Sequence, residues 1–168
     1  SIIAERSDQP GAASSDDDEM VTVLESPTKF EDRLAKLTGP EVAERHMAGM
    51  PRRYSLLYSL DEAASHAECA EQVKADGDVV VTVSRPGSVG TVTVFTRDRS
   101  QLLSDICGVL TVNDLDIHGA DAFTRTDGVI VDVFIVRGLS EDAAARAAQE
   151  ERLQKTFGLV WRGEQKVD

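Results

Sequence analysis

The chain carries three histidines, two cysteines and thirty carboxylates, and their spacing decides what chemistry they can perform. His66 and Cys69 lie three residues apart on a predicted helix and can face one metal ion, but no nearby pair completes a tetrahedral set. The spacing therefore reads as a surface histidine beside a half-buried thiol. Phosphohydrolysis on a His-Asp metal pair needs the two residues adjacent, whereas His46 precedes Met47, His66 precedes Ala67 and His118 precedes Gly119. Nucleotidyl transfer needs a glycine-serine phosphate cradle with clustered carboxylates for Mg²⁺, and Gly87-Ser88 is followed by no Asp-x-Asp. No stretch has the P-loop or G-x-G-x-x-G spacing. Asp132 falls among valines on a predicted strand, where a carboxylate has to reach solvent or a partner. Neither a catalytic centre nor a cofactor is predicted.

The elements that must position these residues follow from periodicity and punctuation. Ser26 can cap a helix beginning at Pro27, with Phe30, Leu34 and Leu37 on one face. Thr38-Gly-Pro-Glu41 and Ser59-Leu-Asp-Glu62 both have capping-box form and predict helices near 39–48 and 60–75. Met50-Pro51 between them forces a bend, because the residue before proline is pushed extended. Val79 to Ser84 and Thr91 to Thr96 read as a hairpin joined through Arg85-Pro-Gly-Ser-Val-Gly90. Asp98, Arg99 and Ser100 break the second strand. Leu102, Leu103, Ile106, Val109 and Leu110 then share a helical face, with Asp98 and Gln101, or Ser100, as the expected cap. Leu115 to Arg125 reads extended, and Asp127-Gly128 supplies a tight turn into a strand lined by Val129, Val131, Val133 and Ile135. Glu141 and Asp142 after Ser140 suit a helix start, with Ala144, Ala147, Ala148 and Phe157 predicted to face the sheet. Leu159-Val160-Trp161 reads as a short closing strand.

Composition bounds the partners. With 168 residues, 41% apolar and 29% charged, the chain suits one modest α+β domain with appendages. The net charge of −12 repels phosphate backbones and anionic lipid, so neither nucleic acid nor membrane is expected as a partner. The order βαββαβ also describes RNA-recognition domains, but those need exposed aromatics and a basic surround, and the third core strand offers valines and a lone Phe134. No apolar run approaches the roughly 18 residues of a membrane span. A soluble, cytoplasmic protein with free thiols at Cys69 and Cys107 is expected. The predicted divisions are an acidic flexible tail over 1–25, a helical linker over 26–77, the α/β unit over 78–162 and a short tail over 163–168. The initial Ser fits a piece of something longer.

From Gly90 to Gly138 the sequence GTVTVFTRDRSQLLSDICGVLTVNDLDIHGADAFTRTDGVIVDVFIVRG resembles the ACT family of small regulatory domains. The better-kept part comprises Leu115-Asp116-Ile117, Ala122-Phe123-Thr124, Asp127-Gly128 and Val131-Asp132-Val133-Phe134. Upstream, MAGMPRRYSLLYSLDEAASHAE (Met47 to Glu68) resembles the segment joining the HD and first ACT domains of bacterial PII uridylyltransferases, which sense nitrogen through glutamine. The resemblance implies a ferredoxin-like βαββαβ ACT fold with an extra N-terminal hairpin strand, noncatalytic in itself. It also implies a glutamine-type amino-acid effector, ACT–ACT self-association and, through a parent enzyme, a PII-type signalling protein as partner. Arg52, Arg53 and Tyr54 then belong to linker scaffold. The implied ligand contacts are Asp98, Arg99, Ser100, Gln101 and Leu102 at the first strand-helix turn, with Asp114 and Ile117 at the start of the next strand. In the uridylyltransferases that turn typically reads Asp-Arg-Pro-Gly-Leu. Here Ser100 and Gln101 replace the Pro and Gly, and Asp114 replaces the glycine before the Leu-Asp-Ile segment. The competing expectation is an ACT-like assembly module that binds no small ligand.

Overall fold

The computed structural model describes residues 27–163. Helix α1 (Pro27–Thr38) starts at the proline, as its fixed φ favours, while its expected cap at Ser26 lies outside the described residues. It buries Phe30 and Leu34 but leaves Leu37 exposed. Helix α2 (Pro40–Met47) follows without the expected capping box. Its N-cap is Gly39 at φ 93°, and the Thr38 hydroxyl instead donates to the Leu34 and Gly39 carbonyls. After the bend at Met50-Pro51 comes a short helix that periodicity did not reveal, α3 (Arg52–Leu57). Helix α4 (Leu60–Ala70) opens on a complete capping box, with the Ser59 hydroxyl accepting from Glu62 N–H and the Glu62 carboxylate from Ser59 N–H.

Strands β1 (Val79–Ser84), β2 (Gly90–Arg97), β3 (Asp116–Thr124) and β4 (Val129–Arg137) make one antiparallel sheet in the order β1-β2-β4-β3. Helix α5 (Leu102–Val112) crosses from β2 to β3, and α6 (Ala143–Trp161) is the last element among the described residues. The result is an α+β fold with a four-stranded antiparallel sheet, of the ferredoxin-like kind expected. The anticipated closing strand is absent. Leu159, Val160 and Trp161 continue α6, because Leu153, Phe157, Val160 and Trp161 recur at helical spacing and bury together. Ala144, Ala147 and Ala148, expected to face the sheet, are exposed. Asp142 caps the helix by accepting from Ala145 N–H.

Both faces of the sheet are covered. On one, α5 and α6 pack Ile106, Leu110 and Phe157 against Val92, Val94 and Phe134. On the other, α1 to α4 bring Phe30, Leu34 and Tyr54 together with Phe95, Phe123 and Val131. Central strands buried on both faces read as apolar runs, which is why β4 hides Val129 through Phe134 with little alternation. Each fully buried Leu or Phe contributes roughly 1.5–3 kcal/mol, so the helical segment and the sheet stabilise each other substantially.

The two sheet edges differ. Along β1, the Gln154 and Glu150 side chains of α6 accept from the Val81 and Val83 N–H groups, and Gln154 donates to the Val79 carbonyl. That edge is closed to further pairing. Along β3, Arg53 holds the Ala122 carbonyl, while Ile117, Ala120, Ala122 and Thr124 are exposed, as is Leu103 of α5 at 63%.

Candidate functional site

The turn from β2 into α5 is tightly built. Asp98 accepts from the Arg99 amide, and the Arg99 guanidinium lies 4.3 Å from the centre of the Trp161 ring while pairing with Asp105 at 3.3 Å. Trp161 in turn donates from Nε1 to the Thr96 hydroxyl at 2.8 Å, tying the end of α6 beneath the turn. Neither Asp98, Ser100 nor Gln101 caps α5 through its side chain. Gln101 is the N-cap residue by backbone alone, with φ 61° and ψ 29° in the left-handed region. Non-glycine residues adopt that conformation at a cost of roughly 1 kcal/mol. Leu102 is partly buried against the core.

At the far end of α5, Asp114 is the second non-glycine residue with positive φ among the described residues, also at 61°. Gln101 and Asp114 therefore both hold a backbone that glycine adopts easily. Leu115 is buried and Ile117 is 36% exposed on edge strand β3. Asp98 to Leu102 and the pair Asp114 and Ile117 flank the 11-residue α5, which at 1.5 Å per residue separates them by roughly 16 Å. One chain does not bring the two groups into one cavity.

A different cluster is brought together, and the spacing of its members gave little warning of it. Arg125, with a side chain 1% exposed, forks onto Asp127 and approaches Glu71 at 3.6 Å. It also donates from NH1 to His46 Nδ1 at 3.3 Å. His46 Nε2 lies 2.7 Å from the Tyr54 hydroxyl, which lies 2.7 Å from His66 Nδ1. A guanidinium can only donate, so His46 Nδ1 accepts and its proton sits on Nε2. Tyr54 then accepts from His46 and donates to His66, whose proton is left on Nε2. Burial first, and the Arg125 charge next, push His46 down to about 3; burial pushes His66 down to about 4. Both are neutral at pH 7, as the chain of bonds requires. The Asp127 carboxyl is opposed by burial, but the Arg125 fork and the Val129 N–H outweigh it and hold its pKa below the usual range.

His66 is thus a buried hydrogen-bond acceptor and not a surface residue, and Cys69 is half-buried beside it. The legible signal was Ala63, His66, Ala67 and Ala70 at helical spacing, an apolar stripe that includes the histidine. Among the described residues no three His, Cys, Asp or Glu side chains are grouped to hold a metal. Arg53 bonds Asp121 and stacks 4.4 Å from the Phe123 centroid, and Tyr54 is fully buried, so both serve packing. Asp132 is buried without a full set of partners. It is 7% exposed, its Oδ1 is unpartnered, and burial pushes its pKa up to about 6.

The described residues define an α+β architecture in which a buried polar cluster joins a helical segment to a four-stranded antiparallel sheet. The chain is 29% identical over 110 residues to a bifunctional uridylyltransferase/uridylyl-removing enzyme of Caulobacter vibrioides, covering 64% of this chain and 12% of that protein. It is 26% identical over 141 residues to the enzyme of the same description from Phenylobacterium zucineum (strain HLK1), covering 80% of this chain and 15% of that protein. No family model matches the chain. These are distant relatives, and the chain spans no more than about 15% of the length of the curated relatives it matches. Among the described residues no helix is long and apolar enough to cross a membrane.

Proposed function

We propose that this chain is the noncatalytic regulatory portion of a nitrogen-regulation protein of the uridylyltransferase/uridylyl-removing kind, with a helical segment over 26–77 and an ACT-like unit over 78–162. The ACT-like unit takes a glutamine-type amino acid, its carboxylate at the Asp98 to Leu102 turn where backbone N–H groups and the α5 dipole favour an anion. The observation that carries this reading is the left-handed backbone at both Gln101 and Asp114, which retains the turn geometry where the family's glycines are missing. The open β3 edge and exposed Leu103 support pairing of two copies, while the closed β1 edge opposes pairing on the other side. Pairing would also let the turn of one copy approach Asp114 and Ile117 of another, which a single chain keeps apart. Effector binding shifts the attached protein only if it favours one arrangement over another. A PII-type protein would be engaged through that larger protein and not by this portion.

One observation favours an assembly module without ligand. The turn already holds a carboxylate, since Asp105 pairs with Arg99 in the first turn of α5. Calorimetric titration of glutamine and other amino acids into the purified chain, repeated with Gln101→Gly, separates the two. Saturable heat supports sensing, and silence from both proteins supports assembly alone.

A further inference from the structure

The sheet face beneath α4 is divided between apolar and hydroxyl-bearing rows. Val80, Phe95 and Val131 stand side by side in cross-strand register under the helices. The next rows in the same alternation are Thr82, Thr93 and Val133, then Ser84, Thr91 and Ile135. These hydroxyls floor a cleft of about 370 Å³ against α4, a size that suits a small molecule. Tyr58, Asp61, Glu62 and His66 line its other side.

Thr93 is 5% exposed, lines the cleft, and its hydroxyl has no hydrogen-bond partner among the described residues. His66 is 8% exposed, and the direction of bonding from Arg125 through His46 and Tyr54 leaves its Nε2–H as a donor without a protein acceptor. Two buried polar side chains therefore offer unused hydrogen-bonding capacity to whatever enters. Among the described residues, Asp61 and Glu62 are the charged side chains that line the cleft, with no Lys or Arg beside them. Glu62 gives one oxygen to the Ser59 amide and keeps the other free. An anion is repelled, and a cationic amine meets two carboxylates beside the Tyr58 side chain. The His66 donor asks for an acceptor on the same molecule, and the hydroxyl floor accommodates either polarity.

We infer that the cleft between α4 and the Thr82-Thr93 rows binds a small organic amine that also bears a hydroxyl or amide-carbonyl acceptor, such as an amino alcohol or an amino-acid amide. A free amino-acid zwitterion is disfavoured because its carboxylate would face Asp61 and Glu62. The site is separate from the Asp98 to Leu102 turn and does not depend on what binds there.

The test uses the whole chain, titrated calorimetrically with 2-amino-1,3-propanediol, L-glutaminamide, glycerol and L-glutamine, with the His66 imidazole nitrogens followed by NMR. Saturable binding of the two amines with movement of the His66 Nε2 signal is expected. Glycerol and L-glutamine should leave that signal in place, even if L-glutamine gives heat by binding at the turn. Thr93→Val, and Glu62→Gln, which keeps the capping acceptor, should each weaken amine binding about tenfold or more. If Thr93→Val fails to fold, Thr82→Val on the neighbouring strand serves in its place. The inference is overturned if neither amine binds at tens of millimolar, if glycerol moves the His66 signal equally, or if the folded variants bind as the unmodified chain does.

Discussion

Arg125, at the end of the β3 hairpin arm, donates to His46 on α2 and so fixes which nitrogen of each buried histidine carries its proton. This contact joins the helical segment to the sheet through polar groups that all depend on one another, beside an apolar core that alone would tolerate sliding. A second tie runs parallel to it, where Thr126 N–H donates to the Ala48 carbonyl at 2.8 Å. There Gly49, at φ 90°, lets the backbones approach so closely that a Cβ would stand 2.7 Å from Thr126 N.

Removing the central hydroxyl leaves two buried groups unsatisfied. Tyr54→Phe should destabilise the chain by about 2–4 kcal/mol, since the His46 donor and the His66 acceptor are each orphaned. Urea denaturation with an unchanged m-value checks it. A loss below about 1 kcal/mol would mean that the chain of bonds contributes little.

Stability should fall on acidification from neutrality. His46 and His66 bind protons in the unfolded state below about 6.5 but in the folded state only near 3 and 4, so folding is opposed as pH drops through that window. Asp132 acts in the opposite sense, because its folded pKa of about 6 lies above its unfolded one and gains stability on protonation. Two groups against one leaves a net loss of about 3 kcal/mol between pH 7 and 4.5 at about 1.4 kcal/mol per pKa unit. His66→Asn keeps an acceptor for Tyr54 without titrating, and its unfolding midpoint should fall less steeply with pH.

Relief of the left-handed residue should be measurable. Gln101→Gly is expected to raise stability by up to about 1 kcal/mol, offset in part by the freer unfolded chain, while Gln101→Val should lower it by more than that. Thermal unfolding of the pair distinguishes backbone strain from loss of a side-chain contact, which would make both variants less stable.

If copies pair through β3, the exposed apolar groups on that strand and on α5 should be sensitive to charge. Leu103→Lys and Ile117→Lys should each weaken self-association several-fold, whereas Lys155→Glu beside the closed β1 edge should not. Sedimentation equilibrium across concentration measures this directly.

Much of the fold was legible because local signals agreed with tertiary need. The Asp127-Gly128 turn, the Ser59 to Glu62 box and the Ile106, Val109 and Leu110 face all appear where spacing put them. Leu159 to Trp161 misled because a short apolar triplet with β-branched Val160 and aromatic Trp161 resembles a strand until Leu153 and Phe157 extend the helical period through it. The Thr38 box misled because Gly39 supplied the cap by backbone geometry alone. The break between strand and helix over Asp98 to Gln101 falls where the sequence placed it. The buried cluster escaped notice, because Arg125 lies 79 residues from His46, and only the packing of α2 to α4 on the sheet brings it to His46, Tyr54 and His66. Asp132 shows the same limit, since neither its burial nor its unpartnered oxygen follows from strand alternation.

The central claim is that an amino-acid carboxylate is read at the β2–α5 turn. Following the backbone amide resonances of Asp98 to Leu102 while glutamine is added tests it most directly. Saturable movement of those amides, accompanied by Ile117 if two copies share the ligand, is the predicted result. Amides that stay fixed in both the native chain and Gln101→Gly would contradict it.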